Sequence, residues 1–269
     1  MKFCESSDGL HLKPELSLLL ACARAGKVQE KQAAIQQLLA DGIDWTSFAQ
    51  TAIAHGFASF AAHSLARLAP DSVPGDILDA FHALMDETSK ANRALFEELA
   101  RLVDALAKNG IEAIPFKGPL LAIQAYGDLG LREFRDLDFL VRDEDLAKTI
   151  GALNSLGYRR RGELTAAQFA LIHRLQGQEI VFGESSRTAV EPHTRVTSLK
   201  MALDIDYAGL WRRAQKTRVN GHTFLTPALE DGLLLLAIHG GKAVAQTGNR
   251  HRSRPERQLG GLSHRDLRP

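Results

Sequence analysis

From Asp76 to Gly110 apolar residues return every three or four positions, at Ile77, Phe81, Leu84, Ala91, Leu95, Leu99, Leu102 and Leu106, and predict one long amphipathic helix. Pro74-Gly75 precede it, Asp76 can cap it, and Asn109-Gly110 stop it. At roughly 1.5 Å per residue, thirty-odd residues reach about 45 Å. A helix of that length links the segments on either side and packs on whatever sheet follows. Upstream, alanine- and leucine-rich stretches predict shorter helices over 14–24, 27–40 and 45–68, the last broken at His55-Gly56. No chemistry is legible there.

After Gly110 the pattern changes. Residues 111–116 read as a strand, and Lys117-Gly118 as the turn that leaves it. Pro119 opens a helix reaching about Tyr126, where a missing N–H costs little. Gly127 and Gly130 mark a loop, and the run DLDFLV, 136–141, reads as a strand. Asp143 then caps a helix closed by Gly157. Residues 164–175 predict another helix. Residues 179–182 and 188–191 predict a hairpin, and 205–213 a short helix. A second hairpin turns at Asn220-Gly221, and a helix runs from Pro227 to an end at His239 and Lys242.

Two positions in DLDFLV carry the chemistry. Side chains on a strand alternate, so Asp136 and Asp138 share a face while Leu137 and Phe139 occupy the other. Paired carboxylates repel and lose hydration together, an arrangement that a cation relieves. Magnesium suits it, because it binds one or two carboxylates and keeps positions for substrate phosphates. The helix start beside Lys117 and Gly118 offers backbone N–H groups and an ammonium to phosphate. Arg132 and Arg135 precede the aspartates in the loop and are suited to bidentate phosphate contact, or to pairing with Glu133 or an aspartate.

The sequence of an apolar strand, Lys-Gly, a helix ending in Tyr-Gly-Asp, an arginine-containing loop and DLDFLV resembles the nucleotidyltransferases of the DNA polymerase beta superfamily. It most resembles their poorly characterised bacterial group, over roughly residues 91–242. The resemblance implies an α+β fold, a mixed nucleotidyltransferase sheet flanked by helices, with an N-terminal helical region. It also implies a third acid from a later strand, at Glu191 in AVEPHTRV. The metal and catalytic set would then be Asp136, Asp138 and Glu191 around Mg2+ in a two-metal site. Lys117, Gly118, Arg132, Arg135 and His193 would lie on the nucleotide side. The implied activity is transfer of a nucleoside monophosphate from an NTP, ATP above others, to an unknown acceptor, a small molecule or a protein, with release of pyrophosphate. The alternative is a weak or inactive nucleotide-binding or interaction module. Superfamily turns usually carry Gly-Ser or Gly-Gly, whereas this chain has Gly118-Pro119, followed by sixteen residues before Asp136. Pro192, directly after the third acid, suits an edge or strand end better than a central ladder.

Composition adds bounds. The 269 residues carry a formal charge of +1, and 45% are hydrophobic, enough for a buried core. Charge is uneven: in 243–269 six arginines against Glu256 and Asp266 give +4, leaving −3 for the rest. That tail reads as disordered, either a basic arm for RNA and other anionic partners or a truncated or frame-altered end. Three regions are expected: helical 1–90, nucleotidyltransferase-like 91–242, and the basic tail 243–269. With two cysteines and no zinc spacing, no disulfide framework is expected, and a reduced cytoplasmic protein is the simplest account. The apolar run at 16–25 follows acidic rather than basic residues, so a signal peptide is not expected. No stretch is long enough to span a bilayer.

Overall fold

The computed structural model describes residues 12–24, 26–162, 164–183, 188–197 and 203–247. They form two units. In the first, α1 (Pro14–Ala23), α2 (Val28–Ala40), α3 (Trp45–His55) and α4 (Ala58–Leu68) pack around Leu18, Cys22, Ile35, Phe48 and Leu65, all fully buried. Asp44 caps α3 by accepting from Ser47 N–H, and Gly56 ends it in the left-handed conformation at φ 72°. That glycine is the break expected at His55-Gly56. Ser64 Oγ donates to the Cys22 carbonyl, tying α4 to the end of α1.

Helix α5 (Gly75–Lys108) is the long helix its periodicity predicts, 34 residues and about 51 Å. Its early turns contribute Ile77 and Phe81 to the first core. Phe96, Leu99, Leu102 and Leu106 enter the second core, packed with Leu137 and Phe139.

The second unit is mixed α+β. A five-stranded sheet has the order β1-β2-β5-β4-β3, with β1 Ile114–Pro115, β2 Asp136–Leu140, β3 Tyr158–Arg159, β4 Val181–Gly183 and β5 Ala189–His193. Only β2 and β5 are parallel; the other pairings are antiparallel. Between the strands come α6 (Gly118–Tyr126), α7 (Leu146–Ser155) and α8 (Ala166–Gln176). Then follow α9 (Tyr207–Arg213), the hairpin β6 (Gln215–Val219) and β7 (His222–Thr226), and α10 (Leu229–Thr247). Asn220 and Gly221 both take positive φ in that hairpin, as its two-residue turn requires.

Strand alternation divides β2 as its sequence implies. Leu137 and Phe139 join the core beneath α5, while Leu140, on the face of Asp138, joins a smaller cluster with Phe116, Leu210, Leu235 and Ile238. Arg213 clamps α9 to α10 through both oxygens of Asp231, at 2.9 and 2.7 Å.

Several expectations need correction. Asp143 does not cap a helix: residues 143–145 form a single 3-10 turn and α7 starts at Leu146, with no side-chain cap at either start. Helix α10 does not end at His239 and Lys242 but continues to Thr247, so the first residues of the expected tail are helical. The arginine-rich stretch 248–269 lies outside the described residues, as does the expected hairpin tip at 184–187. Pro192 sits in the middle strand of the sheet, not at an edge. Its carbonyl accepts from Glu179 N–H, beyond the last β4–β5 pair at Val181 and Val190, so its missing N–H removes no ladder bond on that side.

Candidate metal centre

Pairing in the sheet builds the site. In the parallel β2–β5 ladder Asp138 lies directly opposite Glu191, and Leu140 opposite His193. Two acids 53 positions apart thereby become neighbours, and alternation places His193 on the face of Glu191. Asp138, Glu191 and His193 each present a ligand atom within 4.8 Å of the others.

Asp138 is the buried centre, with 1% of its surface exposed. Its Oδ1 takes two partners, Lys117 Nζ at 2.8 Å and His193 Nε2 at 2.9 Å. Its Oδ2 is buried with no hydrogen-bond partner among the described residues. Burial pushes the carboxyl up, but the His193 hydrogen bond and the Lys117 charge together outweigh it, and the group stays below the usual aspartate range. Glu191 is half-buried; its Oε2 accepts from Gln178 Nε2 at 3.2 Å and lies 3.8 Å from His193 Nε2. Phe116 meets the His193 ring edge-on at 5.3 Å and closes the site on the apolar side.

Lys117 is itself buried, and besides Asp138 it reaches His239 Nε2, 3.0 Å away on α10. Gly118 follows with φ +62°, and a Cβ there would stand 3.3 Å from the Asp136 carbonyl oxygen. The start of α6 can therefore lie against β2 only because position 118 has no side chain. Gly118 and Pro119 are buried.

The sequence-derived set is thus divided. The fold brings Asp138, Glu191, His193 and Lys117 together. Asp136 lies two residues upstream on β2, opposite Ala189, half-buried and outside the close group. Arg135 is exposed in the loop before β2, and Arg132 falls in the segment Gly130–Glu133, which belongs to the first unit. Sequence reading missed Gln178 and the tie of His239 to Lys117. The latter spans 122 positions and leaves no local spacing to detect.

An orphaned, buried carboxylate oxygen beside a second carboxylate asks for a cation, and these residues can hold a divalent ion. The carboxylates suit a hard ion such as Mg2+; the imidazole next to them also suits Mn2+ or Zn2+. Lys117 offsets one of the negative charges without occupying Oδ2.

Residues 41–253, most of the chain, match a family described as uncharacterised nucleotidyltransferases. No curated protein matches. Among solved structures, a candidate nucleotidyltransferase from Thermotoga maritima is similar at 15% identity with a TM-score of 0.41, covering 58% of this chain and 90% of its own. No helix among the described residues is long and apolar enough to cross a membrane.

Proposed function

The chain belongs to that family of uncharacterised nucleotidyltransferases, and on this premise we propose that it moves a nucleoside monophosphate from an NTP, ATP foremost, to an acceptor, releasing pyrophosphate. The observation that carries this reading is the buried Asp138, whose Oδ2 is left to a cation while Glu191 stands beside it across the ladder. A divalent ion held there, Mg2+ in the first instance, supplies charge neutralisation to the triphosphate.

The remaining work falls to the chain. Lys117 and His193 hold the Asp138 carboxyl below the usual aspartate range, so the group is a carboxylate whose Oδ2 can take a cation. His193 fixes the orientation of that carboxylate through Nε2, and Gln178 does the same for Glu191. Asp136, on the face of Asp138, is the proposed third carboxylate, turned to the triphosphate side. Arg135, exposed in the loop before β2, is the proposed phosphate contact, Arg being suited to paired oxygen acceptors. The barrier to phosphoryl transfer falls chiefly through positioning and charge, which this set supplies.

A second reading is a nucleotide-binding module without transfer. It is favoured by the burial of Gly118 and Pro119 and by the commitment of Lys117 to Asp138. Release of pyrophosphate from ATP separates the two. Under the transferase reading it needs Mg2+ or Mn2+ and an acceptor, and falls at least about a hundredfold in Asp138→Asn and Glu191→Gln. Metal-dependent ATP binding without pyrophosphate across a panel of acceptors selects the module.

A further inference from the structure

Beyond the C-terminal ends of β2 and β5 lies a cleft of about 470 Å³, in the size range of small-molecule sites. Val141 and Arg142 leave β2 into it, Thr194 and Arg195 leave β5 into it, and α8 and α9 supply the remaining walls. Clefts at the carboxyl ends of adjacent parallel strands are recurrent ligand sites. Thr194 directly follows His193, the last residue of β5.

Two of its buried polar atoms are unsatisfied. Arg195 Nε is buried with no hydrogen-bond partner among the described residues, although Nη2 of the same guanidinium is fixed by the Arg174 carbonyl at 2.9 Å. His173 Nδ1 is likewise buried without a partner, while its Nε2 lies 3.0 Å from Thr194 Oγ1 and 3.4 Å from Asp143 Oδ1. The Arg195 N–H, as a buried donor, loses its hydration for nothing unless an acceptor arrives. The geometry around them is rigid: Gly177, at φ +72°, closes α8, and its carbonyl accepts from both Thr194 N–H and Arg195 N–H. A Cβ at Gly177 would approach Arg195 Cβ and its carbonyl oxygen to 2.9 Å, so this close passage requires glycine. Arg142 is spoken for, paired with Glu112 at 3.0 Å and stacked 4.4 Å over the Trp211 ring, and acts as a flat wall.

We propose that this cleft binds a small molecule through a single oxyanion, a phosphate or carboxylate, gripped by Arg195 with Arg174, its body lying along Trp211. Asp143 and Glu144 on the cleft wall are both exposed and set against a triphosphate, which carries too much negative charge to sit beside them. On the transferase reading above, on which this assignment of role rests, the bound molecule is the acceptor, and the cleft's place at the end of β5 presents it to the metal centre.

The test is calorimetric titration of the full chain, free of nucleotide and with EDTA present, using inorganic phosphate and, separately, acetate. Saturable binding of either probe by the wild type is expected, and the better probe identifies the oxyanion. Arg174→Gln/Arg195→Gln should weaken it at least about tenfold, and Arg195→Lys should restore part of the loss. No binding of either probe, or equal affinity in the double variant, would overturn the proposal. Because the titration needs neither metal nor NTP, retained anion binding in a chain that releases no pyrophosphate sinks the transferase reading alone.

Discussion

Lys117 Nζ and Asp138 Oδ1 stand 2.8 Å apart with 6% and 0% of their side chains exposed, an ion pair that ties the turn between β1 and α6 to strand β2. Both charges have left water, a cost of several kcal/mol each that their attraction and the His193 and His239 contacts offset. Removing one partner leaves the other buried and uncompensated. Lys117→Met and Asp138→Asn should each lower unfolding free energy by about 3–5 kcal/mol, and the double variant by clearly less than their sum. Urea denaturation of the four proteins measures this. Additive losses would mean that the pair is not coupled.

The depressed Asp138 carboxyl makes stability depend on pH in one direction. Its folded value lies below the ordinary aspartate value of 3.8, so the unfolded chain binds the proton first. The contribution is complete above about pH 4 and is lost as pH falls through the lower folded value. In Asp138→Asn that acid limb of the stability profile should flatten. An unchanged profile below pH 4 would assign acid unfolding to other carboxylates.

Gly118→Ala tests the approach of α6 to β2. Alanine must accept φ +62° and place its Cβ 3.3 Å from the Asp136 carbonyl oxygen. A loss of about 1–3 kcal/mol is expected, together with a fall in any nucleotide transfer as Lys117 and Asp136 shift. Wild-type stability in this variant would show that the turn relaxes freely.

Asp136→Asn should behave differently from Asp138→Asn. Asp136 is half-buried and outside the close cluster, so its removal should change stability by less than about 1 kcal/mol while lowering nucleotide transfer at least about tenfold. Comparing denaturation with initial rates on one preparation separates the two effects. Full activity in Asp136→Asn would remove it from the proposed site.

In the first unit, burial pushes the Cys22 thiol up to about 12, against a smaller opposing pull from Lys31. The thiolate is the reactive form, so in a Cys4→Ser background Cys22 should resist alkylation at pH 8 until denaturant is added. The same shift supplies stability that is present below the unfolded value of 9.0 and is lost as pH rises from there towards 12. Rapid labelling of the folded chain would contradict the burial.

Much of the architecture was legible because it follows from local rules. The apolar spacing from Ile77 to Leu106 can be satisfied only by a helix with one buried stripe, and α5 is that helix. Alternation in DLDFLV put Leu137 and Phe139 on the core side before any partner strand was known. Element ends were less legible. Asp143 has the residue type of a cap, yet the chain turns there in a 3-10 conformation and packs Leu146, a choice made by the sheet and not by the cap. Helix α10 runs past His239 because neither Gly240 nor Gly241 is forced out of helical geometry.

By itself the sequence determined which residues are acids, where the strand bearing two of them runs, and that a lysine and a glycine without a side chain precede it, since these depend on residue type and on periods of two and 3.6. Only the tertiary structure decided that Asp138 meets Glu191 and His193, that Lys117 turns inward to Asp138 and His239, and that Arg195 faces a cleft. Those contacts join positions 21 to 122 residues apart, and the register of a parallel ladder and the packing of α10 carry no mark in any local stretch of chain.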